Sequence, residues 1–328
     1  MDVRTKTKRN VKGVRKRLLA SPAVQSLAAE TELTRTLVRA GWRAHQSVYY
    51  QDMRSGKIRE VDIVASSVCF RTVTHGDQNV AVDLVIEAKT MRDFHIVFAL
   101  QRGAAVPRTG VQTQWLGYRD EPPEQLVGSI GLGPAHVTAV ARRLKKIAFP
   151  SNFMRVGTLS INPPLAPVEA TAFRETNIGS DRELESSVLW RGIQSVASAI
   201  DSDIERIRAN DIHDLKVAVE SAEGDAKRAV EYVVAQLTSQ LNSLDVFHPI
   251  VVLEAPLWVL DSNRLKPVTW CRLHWNAGGY SERWVDVVSR KEFGSFLERI
   301  TRHYDGRLRM ARATSSLTRR WSRRRSRK

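Results

Sequence analysis

Asp83-Leu84-Val85-Ile86-Glu87-Ala88-Lys89 reads as an apolar strand with an acid and a base at one end, where burial disfavours both. Alternate residues of a strand share a face. Leu84, Ile86 and Ala88 therefore point one way, and Val85, Glu87 and Lys89 the other. Upstream, Arg59-Glu60-Val61-Asp62-Ile63-Val64-Ala65 repeats the pattern: Val61 and Ile63 are expected to face the core, with Asp62 on the opposite face. A carboxylate beside a lysine is costly to bury unless the two are paired or a metal is bound. Two carboxylates on neighbouring strands repel, and a hard divalent cation with oxygen ligands relieves that repulsion. A lysine beside them can orient or deprotonate an attacking water, or stabilise charge developing on a phosphoryl group.

Ser21-Pro22 opens a helix with a hydroxyl cap and a proline at the first helical position, and Gly41 ends it after about Ala40. Its apolar stripe is read as Leu27, Leu33, Leu37 and Val38. Glu30 stands three residues from both Leu27 and Leu33, inside the stripe, so it is expected to face the sheet. Glu32 lines up with Arg35, Thr36 and Arg39 on a solvated face.

A helical Glu, then an Asp at a strand end, then Glu-x-Lys on the next long strand resembles the PD-(D/E)XK, or restriction-endonuclease-like, nucleases. The resemblance covers about residues 25–100, with Val61 where the family's proline often stands. It implies a mixed sheet flanked by helices, a Mg²⁺ or Mn²⁺ cofactor, and hydrolysis of phosphodiester bonds. Glu30, Asp62, Glu87 and Lys89 would be the catalytic set. Asp62 and Glu87 would ligate the metal, the Ala88 carbonyl is a candidate further ligand, and Lys89 would act on water. Gln194 is either the family's accessory glutamine or an ordinary surface residue. Asp83 shares the face of Glu87 but sits four residues back. His75, His95 and His274 form no ligand spacing and read as structural.

The other expected strands are Arg43–Tyr50, Val68–Thr74, Phe94–Leu100, Ile250–Leu253, Leu257–Asp261, Val268–Trp275 and Trp284–Val288. Residues 101–135, rich in Gly and Pro, read as a surface excursion, and Ala135–Ile147 as a short basic helix. Glu183–Leu241 is mostly helical. Its stripe Leu215, Val219, Ala222, Ala226, Val230, Val233 and Leu237 is either core packing or a helical contact to another subunit through 203–242. Ser289-Arg290-Lys291-Glu292 reads as a capping box before a helix with Phe293, Phe296, Leu297 and Ile300 inward. The order of elements describes a mixed α/β domain over 18–304 with a helical insertion at about 183–244. A basic arm precedes it at 1–17 and a basic tail follows at 305–328.

The net charge is +16, and its placement carries the information. Eight Lys/Arg in residues 1–17, Lys8, Arg9, Arg15, Lys16 and Arg17 among them, face only Asp2. Eleven in residues 302–328, including Arg319, Arg320, Arg323, Arg324 and Arg325, face only Asp305, which leaves the body close to neutral. Basic arms bind polyanions through counterion release, and Trp321 within the arginine run offers a base-stacking face. The bland alternative is a solvated tail; a transit peptide is a further alternative for the first arm. Cys69 and Cys271 form neither a disulfide framework nor a zinc spacing, which fits a reducing compartment, and no apolar run reaches membrane-spanning length. The expectation is a cytoplasmic, Mg²⁺-dependent endonuclease acting on DNA, in restriction or antiviral defence as the resemblance suggests. The alternatives are an RNA-directed nuclease and a non-catalytic nucleic-acid-binding protein that keeps the fold.

Overall fold

The computed structural model describes residues 13–67, 79–91, 93–100, 130, 133–146, 166–177, 187–241, 243–276 and 282–305. The expected strand Val68–Thr74, His75, most of the 101–135 excursion and the greater part of both basic arms lie outside the described residues. The helices are α1 (residues 13–20), α2 (Pro22–Arg39), α3 (Pro134–Lys146), α4 (Val188–Glu220), α5 (Ala226–Leu241) and α6 (residues 293–305). The strands are β1 (Trp42–Gln51), β2 (Ile58–Ser67), β3 (Asn79–Thr90), β4 (His95–Leu100), β5 (Glu169–Thr176), β6 (Ser243–Glu254), β7 (Leu257–Asp261), β8 (Arg264–Val268), β9 (Trp270–Asn276) and β10 (Glu282–Ser289).

All ten strands join one mixed sheet in the order β1-β2-β3-β6-β10-β9-β5-β4-β7-β8. The β1–β2–β3 meander is antiparallel, while β3 and β6 run parallel from Asn79 opposite Ser243 to Thr90 opposite Glu254. A strand at the centre of a sheet is buried on both faces and reads as nearly continuous apolar sequence, as β3 does. Leu84, Ile86, Ile250, Val252 and Val288 pack on one face with Leu33 and Leu37 of α2 and Phe293, Phe296, Leu297 and Ile300 of α6. Val85, Val251, Leu253, Val285 and Val287 pack on the other with Leu189, Ile193, Val196 and Ile200 of α4. The protein is thus a sheet covered by helices on both faces.

Several sequence expectations are corrected. Leu27 and Val38 of α2 are each 56% exposed; the inward stripe is Ala29, Glu30, Leu33 and Leu37. Ser289 makes no side-chain capping bond, and the chain enters α6 through a 3-10 turn, Arg290–Glu292. The helical insertion divides at 221–225, where Glu223 and Gly224 take φ of 50° and 85°, and β6 begins already at Ser243. The apolar stripe of that region is occupied within the chain: Leu215, Val230, Val233 and Leu237 meet Val140 of α3 in a satellite core, while Ala226 is exposed. Strand β5 was not foreseen, and the strand expected at Val268–Trp275 begins at Trp270, after the β7–β8 hairpin.

The first hairpin changes face partway along. Gln46 stands opposite Ile63 and Val48 opposite Val61, with no slip of register. Yet Trp42, Ala44, Ile63 and Ala65 belong to the α2–α6 core, whereas Val48, Tyr50 and Val61 belong to the α4 core. Val61 and Ile63 therefore do not share a core as their spacing predicts, because the ribbon rolls over between them. The roll falls where Ser47 stands across from Asp62, and Ser47 adopts φ 53°, the left-handed region. Ser47→Gly should leave stability unchanged or raise it. Ser47→Val should lower it by about 1–2 kcal/mol, because a branched β-carbon there crowds the following carbonyl. Urea denaturation of the two variants checks this; equal midpoints would mean the roll is not centred on Ser47.

A charged cluster is buried between the sheet and α6. Arg272 of β9 donates through Nε and Nη2 to both Asp286 oxygens at 2.8 and 2.7 Å and lies over the Trp284 ring at 4.5 Å. His248 Nε2 lies 2.8 Å from Asp286, and its Nδ1 lies 2.8 Å from the Tyr304 hydroxyl. The carboxylate can only accept, so Nε2 carries the proton and Tyr304 donates to Nδ1. Burial would raise the Asp286 pKa, but Arg272 and His248 outweigh it and hold it at about 2. Burial keeps His248 below its ordinary value, hence neutral.

Candidate active site

Glu87, Ala88 and Lys89 lie near the end of β3, and Asp62 lies on β2 just past the last paired residues, Ile63 and Ile86. There the Ala88 N–H donates to Asp62 Oδ2 at 2.7 Å, so the side chain substitutes for a ladder carbonyl. Lys89 Nζ lies 2.5 Å from Glu87 Oε1 and 3.9 Å from Asp62 Oδ2. One ammonium reaching both carboxylates places them on the same side of the sheet. Glu30 approaches from α2, nearly buried, and accepts from Ser26 Oγ at 3.1 Å. The structure thus brings together Glu30, Asp62, Glu87, Ala88 and Lys89.

Their electrostatics are those of a crowded anionic site. Burial raises the Glu30 pKa, and the charges of Asp62 and Glu60 add to the rise. Burial raises Asp62 as well, opposed by Lys89 and the Ala88 N–H. Burial pushes Glu87 up to about 7, helped by the charge of Asp62 and opposed by the pull of Lys89. For Lys89, burial acts to lower the pKa, but Glu87, Asp62 and Glu30 together hold it above its ordinary value. Lys89 is therefore protonated in this arrangement, a donor and a positive charge rather than a ready base.

Sequence reasoning missed Ser195. This α4 residue donates from Oγ to Glu87 Oε2 at 3.1 Å, and its carbonyl accepts from Tyr50 Oη at 3.2 Å. One turn of α4 earlier, a β-carbon at Gly192 would stand 3.6 Å from Glu87 Cγ and 3.7 Å from Lys89 Cγ, so α4 lies directly against the pair. Gln194, the residue read as a possible accessory group, is exposed. A small polar residue inside an apolar helix stripe was the available signal. His95 accepts from Trp258 Nε1 at 2.9 Å, and His274 is buried, with its pKa lowered to about 4 by burial and the Arg272 charge. Of the basic residues expected to touch nucleic acid, Arg15, Lys16 and Arg17 stand exposed on α1. Lys8, Arg9, Arg319, Arg320, Trp321, Arg323, Arg324 and Arg325 lie outside the described residues.

Among the described residues no group of three or more His, Cys, Asp or Glu is spaced to hold a metal ion. The donors at hand are the Asp62 and Glu87 carboxylates and nearby backbone carbonyls. These are hard oxygens in a site where buried acids outnumber the one ammonium. That set suits a cation that keeps several of its own waters, as Mg²⁺ does. No described helix is long and apolar enough to cross a membrane. Comparison of the chain with protein-family profiles, curated proteins and solved structures returned no match.

Proposed function

We propose that this protein is a metal-dependent nuclease of the restriction-endonuclease-like kind, hydrolysing phosphodiester bonds of DNA. The observation that carries the reading is the convergence of Asp62, Glu87 and Lys89 at one end of adjacent strands, with Glu30 of α2 near enough for the charges of Asp62 and Lys89 to act on it. The order of helix, meander and a parallel strand β6, with helices on both faces, supports the same reading.

In this reading Asp62 and Glu87, with the Ala88 carbonyl, hold a divalent cation such as Mg²⁺ or Mn²⁺. When bound, such a cation would supply Lewis-acid polarisation of a phosphoryl oxygen and help to activate the attacking water. The chain's own residues do the rest. The Ala88 N–H fixes the Asp62 carboxylate, and Ser195 and Lys89 each take one Glu87 oxygen, so both acids are oriented before substrate arrives. The Lys89 ammonium donates to a water or a phosphate oxygen and stabilises negative charge as it develops. Glu30 adds a third buried carboxyl on the α2 side. Defence against foreign DNA remains the role suggested by the resemblance.

Purified full-length protein incubated with plasmid, single-stranded DNA and RNA, each with Mg²⁺ or chelator, tests the reading. Mg²⁺-dependent DNA cleavage is expected. Cleavage of RNA alone would reassign the substrate, and binding without cleavage of any of them would favour a non-catalytic binding protein.

The basic tail is assigned the grip on the phosphate backbone, which positions DNA without reading sequence. Deleting residues 306–328 should weaken DNA binding for every sequence and reduce the salt dependence. Each phosphate that is no longer neutralised lowers the slope of log affinity against log salt by about 0.9 on duplex DNA. Cleavage at saturating DNA should persist. An unchanged slope would mean that the tail does not touch DNA.

A further inference from the structure

The β1–β2 hairpin ends in a tip whose side chains no part of the proposed chemistry uses. Tyr49, Met53 and Ile58 are 67%, 56% and 70% exposed, three large apolar residues within ten positions. Single exposed apolar residues are ordinary, but a group of them on one projection marks an interaction surface. In the hairpin register Tyr49 stands opposite Glu60, and Ile58 pairs with Gln51, so Tyr49 and Ile58 share a face. Exposed Arg54 and Lys57 stand between Met53 and Ile58 in the turn.

The tip is held rigid. Asp52 accepts from Arg54 N at 3.0 Å and Ser55 Oγ at 2.8 Å, and Arg59 Nε lies 2.7 Å from Asp52 Oδ2. Backbone bonds from Asp52 N to the Lys57 carbonyl and from Gly56 N to the Asp52 carbonyl close the turn, with Gly56 at φ 67°. Asp52 at the turn is bound by Arg59, and the next acid, exposed Glu60, lies beyond the tip opposite Tyr49, where its charge also reaches Glu30 and Asp62. The tip itself therefore offers apolar surface and positive charge. Four residues beyond Ile58, roughly 13 Å along an extended strand, β2 reaches Asp62, so a polymer engaged by the tip can also extend to the catalytic carboxylates.

We infer that the β1–β2 tip is a DNA-engaging wedge: Ile58, Met53 and Tyr49 press against or between bases, and Arg54 and Lys57 contact flanking phosphates. Apolar wedges of this chemistry partly unstack a base step, and an aromatic ring stacks on any base face. The hairpin's rigidity means that little ordering entropy is lost on binding. The inference rests on the DNA-directed reading of the neighbouring site and assigns that site a substrate-handling element.

The test uses full-length protein in chelator, so that binding is read without cleavage. Duplexes carry the fluorescent base 2-aminopurine at successive positions. Wild type should raise its emission severalfold at one or two adjacent steps, the mark of unstacking. The variant Tyr49→Ser/Met53→Ser/Ile58→Ser should lose that rise, with its thermal unfolding midpoint unchanged because all three side chains are exposed. Arg54→Ala/Lys57→Ala should keep the rise and lower the salt slope by about 0.9 for each phosphate those two side chains neutralise. No rise with bound wild type, or an undiminished rise with the triple variant, overturns the wedge. An intact rise in a protein that cleaves nothing with Mg²⁺ would keep the wedge and refute the nuclease reading, so the two failures are distinguishable.

Discussion

Asp286→Ala should destabilise the fold by about 3–5 kcal/mol, the cost of removing one partner from a buried ion pair. The variant leaves the Arg272 guanidinium, almost fully enclosed, without the carboxylate that accepts from its Nε and Nη2, and leaves His248 Nε2–H without its acceptor. A domain is stable by only about 5–15 kcal/mol, so a loss of that size removes a large part of the total. Replacing the whole cluster with apolar residues need not cost as much, since the pair itself adds little net stability once desolvation is counted. The cluster also sets a pH dependence. His248 is neutral in the fold, with a pKa below its ordinary 6.5, so below that pH the unfolded chain takes up a proton that the native state refuses. The His248 contribution to stability therefore falls as pH drops below about 6.5, at up to about 1.4 kcal/mol per unit for one proton, while Glu87, raised to about 7, contributes in the opposite direction over the same range. Asp286 acts in the same direction as His248 lower down: its contribution is present above 3.8 and is lost as pH falls towards about 2. Chemical denaturation between pH 7 and pH 5 reads the first part. His248→Gln keeps a donor and an acceptor without the titration, so the difference between wild type and variant isolates the His248 share; a difference that does not change with pH would contradict it.

Lys89→Ala should lower the cleavage rate by about 10²–10⁴ while the fold persists. The side chain is the one ammonium that reaches both Glu87 and Asp62 among the described residues. Its loss leaves two neighbouring carboxyls that share a proton at neutral pH rather than unfold the domain, since Glu87 already stands near 7. DNA affinity should change little, because phosphate grip is assigned to the tail and the hairpin tip. Single-turnover cleavage beside a binding isotherm separates the two effects. A variant cleaving at the wild-type rate would remove Lys89 from the chemistry.

The parts of the fold legible in the sequence were those dictated by local chemistry. Ser21-Pro22 and Gly41 bound α2, and the apolar residues around Glu87 and Lys89 declared a strand at β3. Phe293, Phe296, Leu297 and Ile300 face inward as their spacing requires. Glu30 faced inward as expected, although Leu27, half of the argument for it, is exposed. What stayed hidden depends on pairing between distant segments. The roll at Ser47 sends Val61 and Ile63 to different cores although a period of two predicts one. The parallel partnership of β3 with β6 joins residues more than 150 positions apart. Ser195 was passed over for Gln194 because a serine in a helix gives no sign of its partner until the sheet beneath is known. The cluster around Asp286 was likewise unreadable, since β6, β9, β10 and α6 each supply one member.

Whether Asp62 and Glu87 form a metal-dependent catalytic pair is decided by cleavage of supercoiled plasmid. Full-length wild type is compared with Asp62→Asn and Glu87→Gln, each with Mg²⁺ or with chelator. Each variant keeps the size and shape of the side chain while replacing one accepting oxygen by an amide NH2 and removing the charge that would hold a cation. Wild type should cleave with Mg²⁺ and not in chelator, and each variant should lose about 10²-fold or more in rate. Chelator-resistant cleavage, or variants that cut as wild type does, would contradict a two-carboxylate metal site at Asp62 and Glu87.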